Sequence, residues 1–260
     1  MVGLRDFKSL RVPGADFSEL LLFDGDPQRI GYSDIQELRS ASPLVEFVHA
    51  QEFIAFDGRE EMMDLSSENE ELRRKSVRVI DETRELAKTL GECQVVVHPG
   101  GIRRVPTDHE SLMACLKRSL RELGPSRLLM ENMPWYYWLG QDQRMVSNVC
   151  VSLADISALR GLVEGFTLDI CHGFLSRPEG DQEYCISAIE RFGDEISHVH
   201  ASDAIPPDKE GLQIGEGAID FSFLRGIRAS ILIEVWNGHA NRGYGFRVGI
   251  ERLRSMEKDW

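Results

Sequence analysis

Short apolar runs alternate with amphipathic stretches along most of the chain. Seven of these runs are almost continuously apolar, which is typical of parallel strands that helices cover on both faces. They predict strands at Glu19–Phe23, Val45–Ala50, Gln94–His98, Arg127–Met133, Phe166–Ile170, Ile196–Ala201 and Ser230–Val235. Because strands and helices alternate, the pattern predicts repeated β–α units with a parallel sheet.

Helix starts between these strands are predicted by two capping boxes, in which a hydroxyl and an acid three residues later satisfy free backbone N–H groups. The boxes are Ser67-x-x-Glu70 and Thr107-x-x-Glu110. Each precedes apolar residues at helical spacing, so both predict amphipathic helices that pack on the sheet.

The number of strands and the chain length predict an α/β fold, a (β/α)₈ TIM barrel. A doubly wound open sheet is the alternative. Residues Leu4–Gly14 predict a helix that leads into the first of the seven strands, so the first barrel strand must be short, missing or atypical. No low-complexity linker divides the chain, and we therefore predict a single domain over residues 1–260.

Polar side chains end six of the seven predicted strands. In a TIM barrel the carboxyl ends of the strands meet at the mouth, where the chemistry takes place. Three imidazoles and three carboxylates buried together need neutralisation, and a divalent cation is the usual means. Mixed ligands of this kind suit zinc, manganese or iron better than calcium or magnesium. The candidate ligands are His49, His98, Glu131, Asp169, His200 and Glu234.

Five short motifs follow one another along the chain. They are His98-Pro99-Gly100, Glu131-Asn132, Leu168-Asp169-x-Cys171-His172, His200-x-Ser202-Asp203 and the run from Ile214 to Asp220. Together they resemble the endonuclease IV and xylose isomerase-like TIM barrels, the AP endonuclease family 2 group, from about Leu4 to the C-terminal helix.

This resemblance implies a metal site formed by Glu131, Asp169, His200 and Glu234. It also implies that His49 and His98 add the second metal site of the nuclease branch, with Glu131 shared between the two. We therefore expect two zinc ions, with manganese or magnesium as alternatives. The expected catalytic residues are Glu131, Glu234 and His172.

One departure from endonuclease IV concerns its third zinc. That ion is held by a histidine matching His172 and by an Asp-x-His segment just before the Gly-Glu-Gly motif. Here the corresponding segment is Lys209–Gln213, so both later ligands are absent unless Asp208 or Glu210 replaces them. We expect the third site to be degraded or empty.

Four residues are candidates for substrate binding. Trp135 lies in an aromatic cluster that could pack on the barrel rim or stack on a sugar or base. Arg103 and Arg177 could bind an anion, although solvated surface arginines are commoner. Asp203 follows the strand that ends near His200.

The net charge and the cysteine content indicate which binding partners and which cellular compartment to expect. With 43 acidic and 30 basic residues, the net charge of −13 argues against non-specific nucleic-acid binding, although a local basic groove remains open. The five cysteines are scattered, as expected of reduced thiols in the cytoplasm. We expect no membrane partner, because no apolar run reaches about 18 residues. An open barrel edge could be covered by a second copy, which would make a homo-oligomer.

Two enzyme classes and one non-catalytic class fit these residues. Because the resemblance implies a second metal site at His49 and His98, we expect a hydrolase of phosphoester bonds in damaged, abasic DNA or in another phosphate ester. The alternative is a sugar or hydroxy-carbonyl isomerase or epimerase that uses one metal, with Glu131 or Glu234 moving the proton. A barrel that only stores metal or binds a partner is the third hypothesis, and the complete ligand set counts against it.

Overall fold

A computed structural model describes residues 1–7, 10, 12–41, 43–139 and 143–257. Within this part of the chain, eight parallel strands form one sheet in the order of the sequence. We label them β1 Val2–Gly3, β2 Phe17–Leu21, β3 Leu44–His49, β4 Gln94–Val97, β5 Leu128–Glu131, β6 Gly165–Asp169, β7 Ile196–Ala201 and β8 Ser230–Ile233.

Strands β2 to β8 are the seven strands that the apolar runs predicted, shifted by a few residues at their ends. Each strand pairs with the next one along the chain, so every crossover moves the sheet in the same direction. A doubly wound sheet would reverse that direction at one point. The prediction of a TIM barrel is therefore confirmed, and the doubly wound alternative is not.

The first strand is short, as predicted. Val2 pairs with Leu20 and Gly3 with Leu21, and among the described residues no pairing joins β1 to β8. The barrel is thus open along this edge. A cavity of 470 Å³ lies there, with Glu19 among its lining residues.

The predicted helix from Leu4 to Gly14 is wrong in its extent. The described helix covers only Leu4–Phe7. Val12 precedes a proline, which disfavours helical backbone at that position, and Gly14 has a φ of 87°. Lys8, Ser9 and Arg11 lie outside the described residues.

Helices follow most of the strands and pack on the outside of the barrel. They are α1 Leu4–Phe7, α2 Asp26–Arg29, α3 Tyr32–Arg39, α4 Glu70–Gly91, α5 His109–Leu123, α6 Leu153–Ser157, α7 Ile170–Phe174, α8 Gln182–Phe192 and α9 Ala240–Glu257, the last with non-helical backbone at residues 241–243. No helix among the described residues has the length and apolar character needed to cross a membrane.

Both predicted capping boxes located helices that are present, but the residue at the N-cap position differs from the predicted one in each. The Asn69 side chain caps α4 by accepting from two backbone N–H groups, and the Asp108 side chain does the same for α5. Asn and Asp are as effective as Ser or Thr at this position, and here they lie next to the first helical residue. Ser67 instead accepts a hydrogen bond from the backbone N–H of Asn69.

Apolar side chains fill the lower interior of the barrel. Phe47, Val96 and Leu129 form a buried cluster with Phe17 packed against it. Because side chains alternate along a strand, the next inward positions of these strands lie one layer higher. That layer holds the polar strand ends, so the apolar cluster forms the base on which the polar site rests.

Antiparallel segments cover the mouth of the barrel. Phe53–Phe56 pairs with Arg59–Met62 after β3, and Asp203–Ile205 pairs with Lys209–Leu212 after β7. A third cover is a three-stranded sheet of Ile102–Arg103, Gln143–Ser147 and Tyr136–Leu139. These covers bring further side chains over the strand ends.

Candidate metal centre

Two imidazoles and one carboxylate form the first group of side chains at the mouth. The Glu131 Oε2 atom lies 3.4 Å from Nε2 of His49 and 3.4 Å from Nε2 of His98. All three side chains are buried, and their ligand atoms lie within 4.8 Å of one another. Since β3, β4 and β5 are successive strands, their carboxyl ends bring these residues together, as predicted.

The second group contains three carboxylates and one imidazole. His200 Nδ1 lies 2.9 Å from Glu234 Oε2, 3.6 Å from Glu131 Oε2 and 4.0 Å from Asp169 Oδ2. These ligand atoms also lie within 4.8 Å of one another. Glu131 belongs to both groups, so the structure brings all six predicted ligands into one cluster with a shared carboxylate.

The donor atoms of this cluster fit a metal ion. Glu131 Oε2 and His200 Nδ1 are buried, and neither has a hydrogen bond of good geometry to any described residue. Buried polar atoms without a partner are unfavourable, and native proteins avoid them unless a ligand or ion satisfies them. Imidazole nitrogen and carboxylate oxygen are the donors that zinc and manganese accept.

Burial and mutual charge shift the ionisation of these groups strongly. Burial opposes the charged form of His49, but hydrogen bonding and attraction from Glu131 outweigh it and raise the pKa of His49 to about 9. Burial, reinforced by the negative charges of Glu234 and Glu131, raises the pKa of Asp169 to about 8. Burial alone would raise the pKa of Glu131, but nearby imidazoles, chiefly His98 and His200, hold it well below the usual value. The cluster is therefore a concentrated set of interacting charges.

Sequence reasoning missed a carboxylate beneath the cluster. Glu19 in β2 is fully buried, and its Oε2 lies 3.1 Å from His200 Nε2 and 2.6 Å from His198 Nε2. His198 is buried one layer below His200, as predicted. The available signal was an acid in the middle of an apolar run, Phe17-Ser18-Glu19-Leu20-Leu21.

The mouth side of the cluster carries His172 and Glu210. His172 Nδ1 lies 3.2 Å from Glu131 Oε1, and its Nε2 lies 3.8 Å from Glu210 Oε2. Burial raises the pKa of Glu210 to about 7. Asp208 instead pairs with Arg144 at 3.1 Å. Of the two acids that could replace the missing ligands of a third metal, only Glu210 thus lies beside His172.

Two further side chains at the mouth, Glu52 and Tyr137, were not among the predicted site residues. The Tyr137 hydroxyl donates to Glu52 Oε2 at 2.9 Å, and Glu52 Oε1 lies 4.0 Å from His98 Nδ1. Burial and the charges of Glu52 and Glu210 raise the pKa of Tyr137 well above its usual value. Glu52, Tyr137 and Glu210 lie over the cluster of candidate ligands, and we call these three residues the acidic rim.

The candidate substrate-binding residues are more dispersed. Arg103 pairs with Asp64 at 2.7 Å, and Arg177 is an exposed residue that pairs with Asp181 at 3.2 Å. Trp135 is 38% exposed, and it lies just before the covering strand Tyr136–Leu139.

Asp203 has a structural role that differs from the predicted substrate contact. It is fully buried, and its carboxylate accepts hydrogen bonds from the backbone N–H groups of Ala204, Gly215, Gly217 and Ile219. A side chain at Gly217 would collide with this carboxylate. The motif from Ile214 to Asp220 is thus a loop wrapped around Asp203.

Comparisons with known proteins agree with this architecture. The sequence profile described as xylose isomerase-like TIM barrel matches residues 14–256. An uncharacterized protein of Methanocaldococcus jannaschii is 30% identical over 186 residues, covering 67% of this chain and 67% of the relative.

Two solved structures share the fold at low sequence identity. A D-tagatose 3-epimerase-like protein has a TM-score of 0.67 at 22% identity, covering 93% of this chain and 90% of that one. Endonuclease IV from Thermus thermophilus has a TM-score of 0.62 at 19% identity, covering 91% and 89%. From the profile match, the sequential barrel and the motifs at the strand ends, we conclude that this chain belongs to the xylose isomerase-like TIM barrel family, the AP endonuclease family 2 group.

Proposed function

We propose that this protein is a divalent-metal-dependent hydrolase of phosphoester bonds with two metal sites, most simply two zinc ions. The observation that carries this proposal is the sharing of Glu131 between the His49–His98 group and the group of Asp169, His200 and Glu234. A one-metal isomerase needs only the second group. The first group, with two buried imidazoles, is explained if a second cation binds there.

Each side chain has a role in this proposal. Two divalent cations would supply Lewis-acid stabilisation of the charge that develops on the phosphoryl oxygens. Glu131 holds the two groups together, and Glu234 completes the second group from the mouth side, with its side chain 23% exposed. His172 contacts Glu131 on one side and faces Glu210 on the other. The pair of His172 and Glu210 could therefore hold a proton at the mouth and transfer it to a leaving group.

The covers over the mouth favour a small phosphate ester over duplex DNA. Five of the six ligand side chains are almost fully buried, and hairpins carry Glu52 and Glu210 over them. The net charge of −13 further disfavours a long phosphate backbone. The five cysteines are all free thiols, which supports a reducing, cytoplasmic setting.

The acidic rim favours a second candidate, a sugar or hydroxy-carbonyl isomerase or epimerase. Three carboxylates in the ligand groups already offset most of the charge of two divalent cations, and Glu52 and Glu210 add negative charge at the entrance. A neutral polyol would enter such a site without repulsion, whereas a phosphate would not. In this alternative one metal binds the second group, and Glu131 or Glu234 moves the proton.

Metal content per chain separates the two candidates. Protein purified without a chelating tag is analysed for bound metals, comparing wild type with His49→Ala, His98→Ala and the control His109→Ala. His109 is half exposed and pairs with Asp155, away from the site. The hydrolase proposal expects about two zinc equivalents in wild type and the control, and about one in each site variant. A single ion that neither substitution changes would favour the isomerase.

Activity assays complete the test. Hydrolysis is measured on a small phosphate diester and on an abasic-site oligonucleotide, and epimerisation on free ketoses. Metal-dependent hydrolysis that is lost in His49→Ala would support the proposal. Ketose turnover without any hydrolysis would contradict it.

A further inference from the structure

We infer that Glu19 is a positioning residue for the metal centre, which keeps the ring proton of His200 on Nε2 so that Nδ1 faces the metal ligands. This inference rests on the metal-centre part of the proposed function and holds for either reaction. It concerns a residue that contacts His200 and acts through it.

The geometry determines which ring nitrogen carries the proton. A carboxylate accepts hydrogen bonds but donates none, so the His200 nitrogen that lies 3.1 Å from Glu19 Oε2 must carry the hydrogen. The other nitrogen, Nδ1, then presents its lone pair on the side of Glu131, Asp169 and Glu234. A histidine bound to a metal usually donates its second N–H to such a partner, which fixes the ring and strengthens the ligand.

His198 holds the Glu19 carboxylate from the other side. Its Nε2 lies 2.6 Å from the same oxygen, and its Nδ1 lies 3.2 Å from the carbonyl oxygen of Ser230. The His198 ring also stacks on Phe47, with ring centroids 3.8 Å apart. Because β7 carries both histidines, the Glu19 carboxylate is held by two rings on the same strand and cannot turn away from His200 without breaking both contacts.

The group of Glu19, His198 and His200 is better explained as hydrogen bonding than as a third metal site. Ligand atoms that share one metal at bond lengths of about 2.1 Å are separated by roughly 3 Å or more. The 2.6 Å between Glu19 and His198 is shorter and is typical of a charge-assisted hydrogen bond. All three side chains are fully buried.

This arrangement also spans the open side of the barrel. Glu19 lies in β2 and the histidines in β7, with the unpaired edge between β1 and β8 on the shorter path between them. Backbone hydrogen bonds between described residues do not close this edge, whereas the contacts from Glu19 connect β2 to β7 in the interior. The ligand geometry of His200 therefore depends on Glu19 as well as on its own strand.

Zinc affinity and the ring proton of His200 test the inference together. Zinc binding is measured by competition with a chromophoric chelator for wild type, Glu19→Gln and the control Glu46→Gln. Glu46 is an exposed residue on the neighbouring β3, so its substitution makes the same charge change away from the site. We expect Glu19→Gln to weaken zinc binding about 10- to 100-fold, as substitutions of such partners do, and Glu46→Gln to change it less than about twofold.

The second measurement uses zinc-loaded wild-type protein with ¹⁵N-labelled histidine. Long-range ¹H–¹⁵N correlation spectra identify the protonated nitrogen of each ring, and we expect Nε2–H for His200. A proton on Nδ1 of His200, or unchanged zinc affinity in folded Glu19→Gln, would overturn the inference. The wild-type spectrum can still overturn the inference if Glu19→Gln fails to fold.

The outcomes also separate this inference from the proposed reaction. Zinc bound with the expected ring proton, but without hydrolysis, would contradict the hydrolase and leave the role of Glu19 intact. Hydrolysis by the wild type, together with unchanged zinc affinity in Glu19→Gln, would support the hydrolase and overturn the role of Glu19. A wild-type protein that binds no zinc, manganese or magnesium would overturn both.

Discussion

The Oε2 atom of Glu131 lies 3.4 Å from Nε2 of His49, although the two residues end strands that are separated by β4. The carboxylate thus reaches across the mouth to the first ligand group while it remains part of the second. Both groups therefore depend on a single side chain.

Replacing Glu131 by Gln should remove metal from both groups. The amide has the shape of the carboxylate but lacks its charge, so both sets of ligands lose the negatively charged side chain that they share. We expect metal content to fall from about two equivalents to well below one, a larger loss than in His49→Ala. Elemental analysis measures this, with the exposed Glu60→Gln as control. A variant that keeps wild-type metal content would show that Glu131 is not a shared ligand.

Neutralising the acidic rim should help phosphate to enter. Glu210 faces His172 at the mouth, and burial raises its pKa to about 7. Above about pH 8, Glu210→Gln therefore removes one negative charge from the entrance without altering either predicted ligand group. We expect inorganic phosphate to bind metal-loaded Glu210→Gln several-fold more tightly than wild type, roughly 3- to 10-fold, because like-charge repulsion is relieved. Titration calorimetry with phosphate measures this effect, and exposed Glu190→Gln is the matched control. Equal affinity in both variants would mean that Glu210 does not restrict anions.

Asp203 should contribute strongly to stability. Four backbone N–H groups donate to its buried carboxylate, and Asn would keep one acceptor oxygen while turning an NH₂ group toward some of these donors. We expect Asp203→Asn to lower the free energy of unfolding by about 2–4 kcal/mol, the range for losing charge-assisted bonds in a buried site. Urea unfolding measures this loss. Asp194→Asn, at an exposed position, should change stability by less than about 0.5 kcal/mol.

The ion pair between Glu70 and Arg73 should make stability depend on pH. The buried Arg73 guanidinium donates two hydrogen bonds to Glu70, and these lower the pKa of Glu70 to about 2. A lowered carboxyl pKa means that this stabilisation is complete above the unfolded value of about 4.3 and is lost as the pH falls toward 2.

Urea unfolding of wild type and Glu70→Gln between pH 7 and pH 3 checks this dependence. Wild type should be more stable at pH 7, and the difference should shrink as the pH approaches 3. Glu85→Gln, on an exposed part of α4, should show a smaller difference at every pH. A difference that grows at low pH would contradict the assigned direction of the pKa shift.

Several features could be predicted from the chain because they depend on local pattern. The apolar runs located β2 to β8. The polar residue at or near the end of six strands indicated which side chains meet in one cluster, since parallel strands bring their carboxyl ends to one edge. The helix starts were located to within a residue or two, but the caps were assigned to Ser67 and Thr107 instead of Asn69 and Asp108. Adjacent residues of similar capping ability cannot be separated without the backbone conformation.

Other features depend on contacts between distant parts of the chain. Glu52, Tyr137 and Glu210 meet at the mouth because three separate covers fold over it, and nothing in the local sequence aligns them. Arg103 pairs with Asp64, which lies 39 residues earlier in the chain, and no local pattern in the sequence predicts this ion pair.

The sequence by itself determined that this protein is a barrel with a ring of imidazoles and carboxylates at one end, because strand periodicity and strand order are local properties. Only the tertiary structure decided how those groups are shared and supported. Glu131 serves both ligand groups, and Glu19 reaches His200 across 181 residues of chain. Side-chain separations of a few ångströms are set by how the strands close around the interior, and that closure is a property of the whole fold.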